Sequence, residues 1–171
     1  MIKVKYKLHQ KNNMEKNKKI SDSPHVIALP PLIYIGGLIL GLLFRSIKPL
    51  EFFKNDLSLP LGVSLIIISI ILVFMSIQSF SKAHTNVDVR KPTTSIVKGG
   101  PYRFSRNPIY LSMTILYLGI TIWLNDFWLL IMLAPVVLII QYGVIKREEI
   151  YLTRKFGETY IQYKKSVRRW L

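Results

Sequence analysis

Residues 108–145 read PIYLSMTILYLGITIWLNDFWLLIMLAPVVLIIQYGVI, two uncharged apolar runs parted by Asn125 and Asp126 alone. A two-residue polar break leaves room only for a tight turn, so the pair reads as a helical hairpin. A helix needs about 20 apolar residues to cross the hydrocarbon core of a bilayer. Phe127–Ile145 meets that length. Pro108–Leu124 is slightly short and is expected to cross with tilted partners and local thinning of the bilayer. Asn107 followed by Pro108 is a helix start, an N-cap side chain and then a proline at the first helical position. Pro135 is expected to kink the second helix of the hairpin.

Outward from the hairpin, Val26–Phe44 and Leu59–Phe80 are two further apolar runs, with Pro30–Pro31 set to bend or delay the first. The fold class is therefore all-α, a polytopic membrane helix bundle of about four spans. The chain divides into a basic tail (1–25), the first two spans (26–80) and a remainder (81–171) that holds the hairpin and a polar tail.

The 171 residues include 24 Lys and Arg against 9 Asp and Glu, a net charge of +15. Such a balance in a half-apolar chain is reconciled by segregation. Seven cations lie in 1–19, three in 45–54, six in 82–106 and eight in 146–169, none inside an apolar run. The 45–57 loop is nearly balanced and the Asn125–Asp126 turn carries no cation, so four spans place the three rich blocks on one side, which retention of positive charge identifies as the cytosol, with both termini there. The first block is too polar for a signal peptide and reads as a retained basic tail that meets anionic membrane lipids. Nucleic acid is set aside, because the cations form no reading module. With no cysteine and three histidines, neither a disulfide framework nor a metal site is expected.

Two cytosolic stretches carry more chemistry than a connection needs. Residues 99–111, GGPYRFSRNPIYL, set Gly99 and Gly100 for a tight turn and bring Tyr102, Arg103 and Arg106 to the mouth of the bundle. Free N–H groups at the start of the following helix suit a carboxylate. After the last span, residues 146–171 read KREEIYLTRKFGETYIQYKKSVRRWL. At 100° per residue Ile145, Leu152 and Phe156 form an apolar stripe flanked by Glu148 and Glu149, with Arg147 pointing away. Carboxylates leaning toward a packed face either pair with neighbouring cations or serve a ligand. Gly157 ends this helix, and Tyr160 and Tyr163 begin another turn.

The segment GPYRFSRNPIYL, two closing helices and EEIYLTRKFGETYIQYKKSVRRWL, in that order, resemble the integral-membrane methyltransferases related to isoprenylcysteine carboxyl methyltransferase and the phospholipid N-methyltransferases. The resemblance covers Lys82 to Leu171. It implies methyl transfer from S-adenosyl-L-methionine to a lipophilic acceptor, in a cytosolic pocket closed by the C-terminal helical tail. Carried over by motif, Thr94, Ser95, Ile96 and Val97 line one wall, Tyr102, Asn107, Pro108 and Tyr110 the next, and Glu148, with Glu149, meets the methionine end. Arg106 and Glu149 are the candidates for orienting the acceptor. Two positions depart from the pattern: Asn107 stands where histidine is common, and Val144 where the prenylcysteine enzymes carry a substrate-contacting arginine, which argues against a prenylcysteine carboxylate.

A non-catalytic scaffold or small transporter subunit is the competing reading. The spans lack the ionisable groups of a transport path, and a scaffold has no use for the glutamate pair. Ser112 and Gly119, seven residues apart on one face of the third span, suggest a lateral opening for the acceptor.

Overall fold

The computed structural model describes residues 23–51, 53, 57–88 and 90–171. The basic tail expected over 1–25 falls almost wholly outside them. Six α-helices run α1 Pro30–Ile47, α2 Ser58–Lys82, α3 Pro108–Trp123, α4 Phe127–Ile139, α5 Lys146–Phe156 and α6 Glu158–Ser166. A 3-10 turn, Gly100–Arg103, precedes α3, and a π-helical turn, Ile140–Ile145, joins α4 to α5 without a break. Among the described residues the one β-type pairing is an isolated bridge between Ser105 and Arg168.

Three helices are long and apolar enough to cross a membrane: α1 with 18 residues, α2 with 25, and the continuous rod Phe127–Phe156 with 30. The apolar part of that rod ends at Ile145, where Lys146 and Arg147 begin the charged turn. Helix α3 has 16 residues, about 24 Å at the usual rise of 1.5 Å per residue. It nevertheless runs the depth of its neighbours. Tyr34 and Arg45, near the two ends of α1, bond the Tyr110 and Leu124 carbonyls near the two ends of α3. Ser69 of α2 bonds the Ser112 carbonyl, and Gly62 lies against Gly119, so α2 runs antiparallel to α3.

The first span starts at Pro30 rather than at Val26. Leu29 is extended and the two prolines occupy the first helical positions, where their missing N–H groups cost nothing; further back they would interrupt the ladder. Helical geometry passes through Pro135, and the departure from α spacing comes five residues later, in the π turn.

Two tight helix pairs build the bundle, α2 with α3 and α1 with α4. A Cβ on Gly119 would stand 2.9 Å from Ile66 Cγ1 and 3.0 Å from the Gly62 carbonyl oxygen, so only glycine permits this approach of α2 and α3. Ser112 is buried in the same seam. The pair Ser112 and Gly119 is thus a packing surface, and the lateral opening expected there does not exist: small residues draw the two backbones together. The other seam sets Gly37 against Val136 and Gly41 against Leu129. Tyr34, Tyr117, Leu129, Leu133, Val136, Ile140, Val144 and Ile145 fill the core between them. The outward faces carry exposed apolar side chains such as Ile67, Ile71 and Phe74 of α2, which suits a solvent of acyl chains.

Candidate active site

A cavity of about 410 Å³ lies at the end of the bundle where α1 and α3 begin and α2 and α4 finish. That volume falls within the roughly 300–1,000 Å³ of small-molecule sites. Its wall is chemically divided. Pro31 and Leu32 of α1, Phe80 of α2, and Ile109 and Met113 of α3 line it with apolar groups, whereas Tyr110, Arg106, Asn107, Glu148 and Glu149 bring polar ones. The start of α1 and the end of α2 both border the apolar part.

Of the residues expected here, Ser95, Ile96, Val97, Tyr102, Arg106, Asn107, Tyr110, Glu148 and Glu149 line the cavity. Thr94 and Pro108 do not. The Thr94 hydroxyl donates to the His84 carbonyl at 3.0 Å, which braces the loop from behind, and Pro108 is fully buried at the foot of α3. Asn107 does not cap α3. Its Nδ2 donates to the Arg169 carbonyl at 2.9 Å, because the tail packed beside it offers an acceptor that a helix start lacks.

The glutamates diverge. Tyr110 donates to Glu148 Oε1 at 2.6 Å, and Glu148 pairs with no cation among the described residues. Burial pushes its carboxyl up to about 7, the Tyr110 bond opposes that rise, and the Glu149 charge adds to it. Glu149, 5% exposed, is held by Arg106 Nη2 at 2.9 Å and by Arg169, whose Nε and Nη2 donate at 3.0 and 2.6 Å. Such a forked pair is a strong, geometrically specific contact. Arg106 also donates through Nη1 to the Lys164 carbonyl, while its buried Nε has no partner.

Aromatic hydroxyls set the surrounding frame. Tyr34 donates to the Tyr110 carbonyl, and Tyr163 to that of Tyr102. Burial raises the Tyr102 and Tyr160 phenols well above their ordinary range, so both stay neutral. Arg147 turns outward to the His25 carbonyl, as the helical wheel requires.

Sequence reasoning missed Arg169, counted only among the basic residues of the tail, and the apolar wall at the start of α1, read only as a proline break. A forked partner for one glutamate was signalled by RRW alone, which no spacing rule ties to Glu149.

The family model described as phospholipid methyltransferase matches residues 57–159. The match begins at the foot of α2 and so takes in the second span beside the region from Lys82 onward. An uncharacterized protein of Haemophilus influenzae is 43% identical over 63 residues, which are 37% of this chain and the whole of that protein. The matched region carries α2 to α5, the 3-10 turn and nearly all of the cavity's polar wall, and the chain belongs to the phospholipid methyltransferase family.

Proposed function

We propose that the protein transfers a methyl group from S-adenosyl-L-methionine to a lipophilic acceptor at the cytosolic face of a membrane. One observation carries the reading: a cation-free carboxylate, Glu148, lines the same cavity as Arg106, a guanidinium whose buried Nε has no partner. The methionine end of the cofactor carries an ammonium and a carboxylate, the complement of that pair. Ser95, Ile96, Val97, Tyr102 and Asn107 would flank it. When bound, the cofactor supplies an electrophilic methyl on a sulfonium, a leaving group that needs no acid.

The chain's own work is then binding, orientation and exclusion of water. Glu148, aimed by Tyr110, holds the ammonium; Arg106 orients an anionic group of cofactor or acceptor, and Glu149 acts through Arg106. An amine or thiol acceptor would release a proton, for which no base is assigned. The apolar wall of Pro31, Leu32, Phe80, Ile109 and Met113 fits an acyl-bearing acceptor. Such an acceptor would enter between α1 and α2, avoiding about 0.8 kcal/mol of exposure per CH₂. The basic loops around the cavity support a cytosolic placement of this end, and of both termini.

Calorimetry with S-adenosylhomocysteine on detergent-solubilised protein tests the cofactor assignment. Glu148→Gln is expected to weaken binding at least tenfold with the melting temperature unchanged, and equal affinity in the variant would remove Glu148 from the site. Methyl-labelled cofactor given to membranes should place label in the lipid fraction.

A further inference from the structure

Glu148 and Glu149 are adjacent on α5, yet a segment far along the chain separates their roles. Residues 167–171 leave α6 and run beside the loop before α3, joined to it by the bridge between Ser105 and Arg168. Arg106 N–H bonds the Arg168 carbonyl at 2.9 Å, Ser105 Oγ and Asn107 Nδ2 both bond the Arg169 carbonyl, and Trp170 Nε1 donates to Gln141 Oε1 at 2.9 Å. These contacts fix the backbone on both sides of Arg169 and aim its fork at Glu149. Arg169 itself is absent from the cavity wall. Two guanidiniums on one carboxylate leave a surplus positive charge beside the cavity, and they satisfy both oxygens of Glu149.

We propose that Arg169 is a positioning residue: it commits Glu149 to holding Arg106, and so leaves Glu148 as the unpaired anionic group of the cavity, free for a cationic ligand. The ligand half of this statement rests on the methyl-donor reading above. The groups that bear on Glu148 are Tyr102 of the 3-10 turn, Tyr110 of α3, Tyr160 of α6, Glu149 on its own helix and Arg106. Asp88 and Arg90 at the rim neutralise each other. Glu149 is the source of negative charge nearest in sequence, and Arg169 is one of its two counter-charges. Without Arg169, more of the Glu149 field reaches Glu148 and favours its protonated form.

The test is pH-difference infrared spectroscopy of the carboxylic-acid C=O stretch in the full chain, with Glu148→Gln to assign the band. Arg169→Gln is expected to move the Glu148 midpoint up by about half to one pH unit, and Arg169→Lys, which keeps the charge and loses the fork, to bring it back. Trp170→Phe frees the strap but keeps the guanidinium, and should give a smaller rise in the same direction if Arg169→Gln does not fold. An unmoved midpoint in Arg169→Gln and Trp170→Phe, with only a lower melting temperature, would overturn the proposal and leave Arg169 a structural clamp. Calorimetry with S-adenosylhomocysteine on the wild type separates the two ideas, since absence of binding at every pH defeats the methyl-donor reading while the infrared result still decides the role of Arg169.

Discussion

The two ends of the helix bundle are made of the same kinds of side chain and do opposite things with them. At the end holding the α3–α4 turn, polar groups are consumed by backbone. Asp126 accepts from Trp128 N–H and Leu50 N–H, Asn125 bonds both the N–H and the carbonyl of Phe53, Arg45 Nη1 donates to the Leu124 carbonyl, and Trp128 Nε1 donates to the Lys48 carbonyl. At the other end, Glu149 and two arginines satisfy one another, while Glu148 lines a cavity without a cation and the buried Arg106 Nε has no partner. A membrane helix end can be sealed or kept reactive, and the partner of each charged group decides which.

The strongest way to break the contrast is Glu149→Gln. Removing one partner of a buried ion pair leaves uncompensated charge, here two guanidiniums, and typically costs about 3–5 kcal/mol. A large fall in melting temperature is expected, against none for Glu148→Gln next to it. Equal stability of the two variants would erase the division of labour. Gly119→Val should follow at about 1–3 kcal/mol, by forcing α2 off α3, with ligand affinity falling only as folded protein is lost. Asp126→Ala tests the sealed end. Loss of a cap costs roughly 1 kcal/mol, and S-adenosylhomocysteine affinity should stay unchanged in the fraction that folds.

The reactive end is sharpened by pH. In the free protein Glu148 holds its proton up to about 7, and only the ionised form attracts an ammonium. Cofactor affinity should therefore fall as pH drops below 7, approaching tenfold per unit, and level off above it. Calorimetry between pH 6 and 8 checks this, and a flat profile would remove Glu148 as the ammonium partner. The smallest effect is expected from Tyr117→Phe. The Tyr117 hydroxyl is buried in the core without a partner, so its removal should be neutral or stabilise by up to about 1 kcal/mol, read by thermal unfolding.

Much of this was legible in the sequence. Hydropathy, the Asn125–Asp126 break and Pro108 located the helices within a few residues, because lipid forces each backbone to satisfy itself locally. The stretches 100–111 and 148–152 named the polar groups Tyr102, Arg106, Asn107, Tyr110, Glu148 and Glu149 of the cavity wall. What sequence left open depended on distant partners. A helical wheel set both glutamates beside the apolar stripe, yet the cations that bind up Glu149, Arg106 and Arg169, come from segments far from it in sequence. Asn107 has the chemistry of a cap and was diverted by a carbonyl 62 residues away. Ser112 and Gly119 read as a lateral opening, and only α2 packed against them shows a seam.

The π turn at Ile140–Ile145 has a consequence for how this protein tolerates changes of length. A π turn takes up about one residue more than an α turn over the same stretch, so the rod between Phe127 and Phe156 contains a spare residue. Loss of Tyr142, which faces outward, could be absorbed by tightening that turn, leaving the glutamates where they are. The same loss at Leu133 would swing everything after it by about 100° and exchange the faces on which Glu148 and Glu149 stand. Insertions and deletions in relatives of this chain should therefore gather at the π turn and avoid Phe127–Ile139 before it.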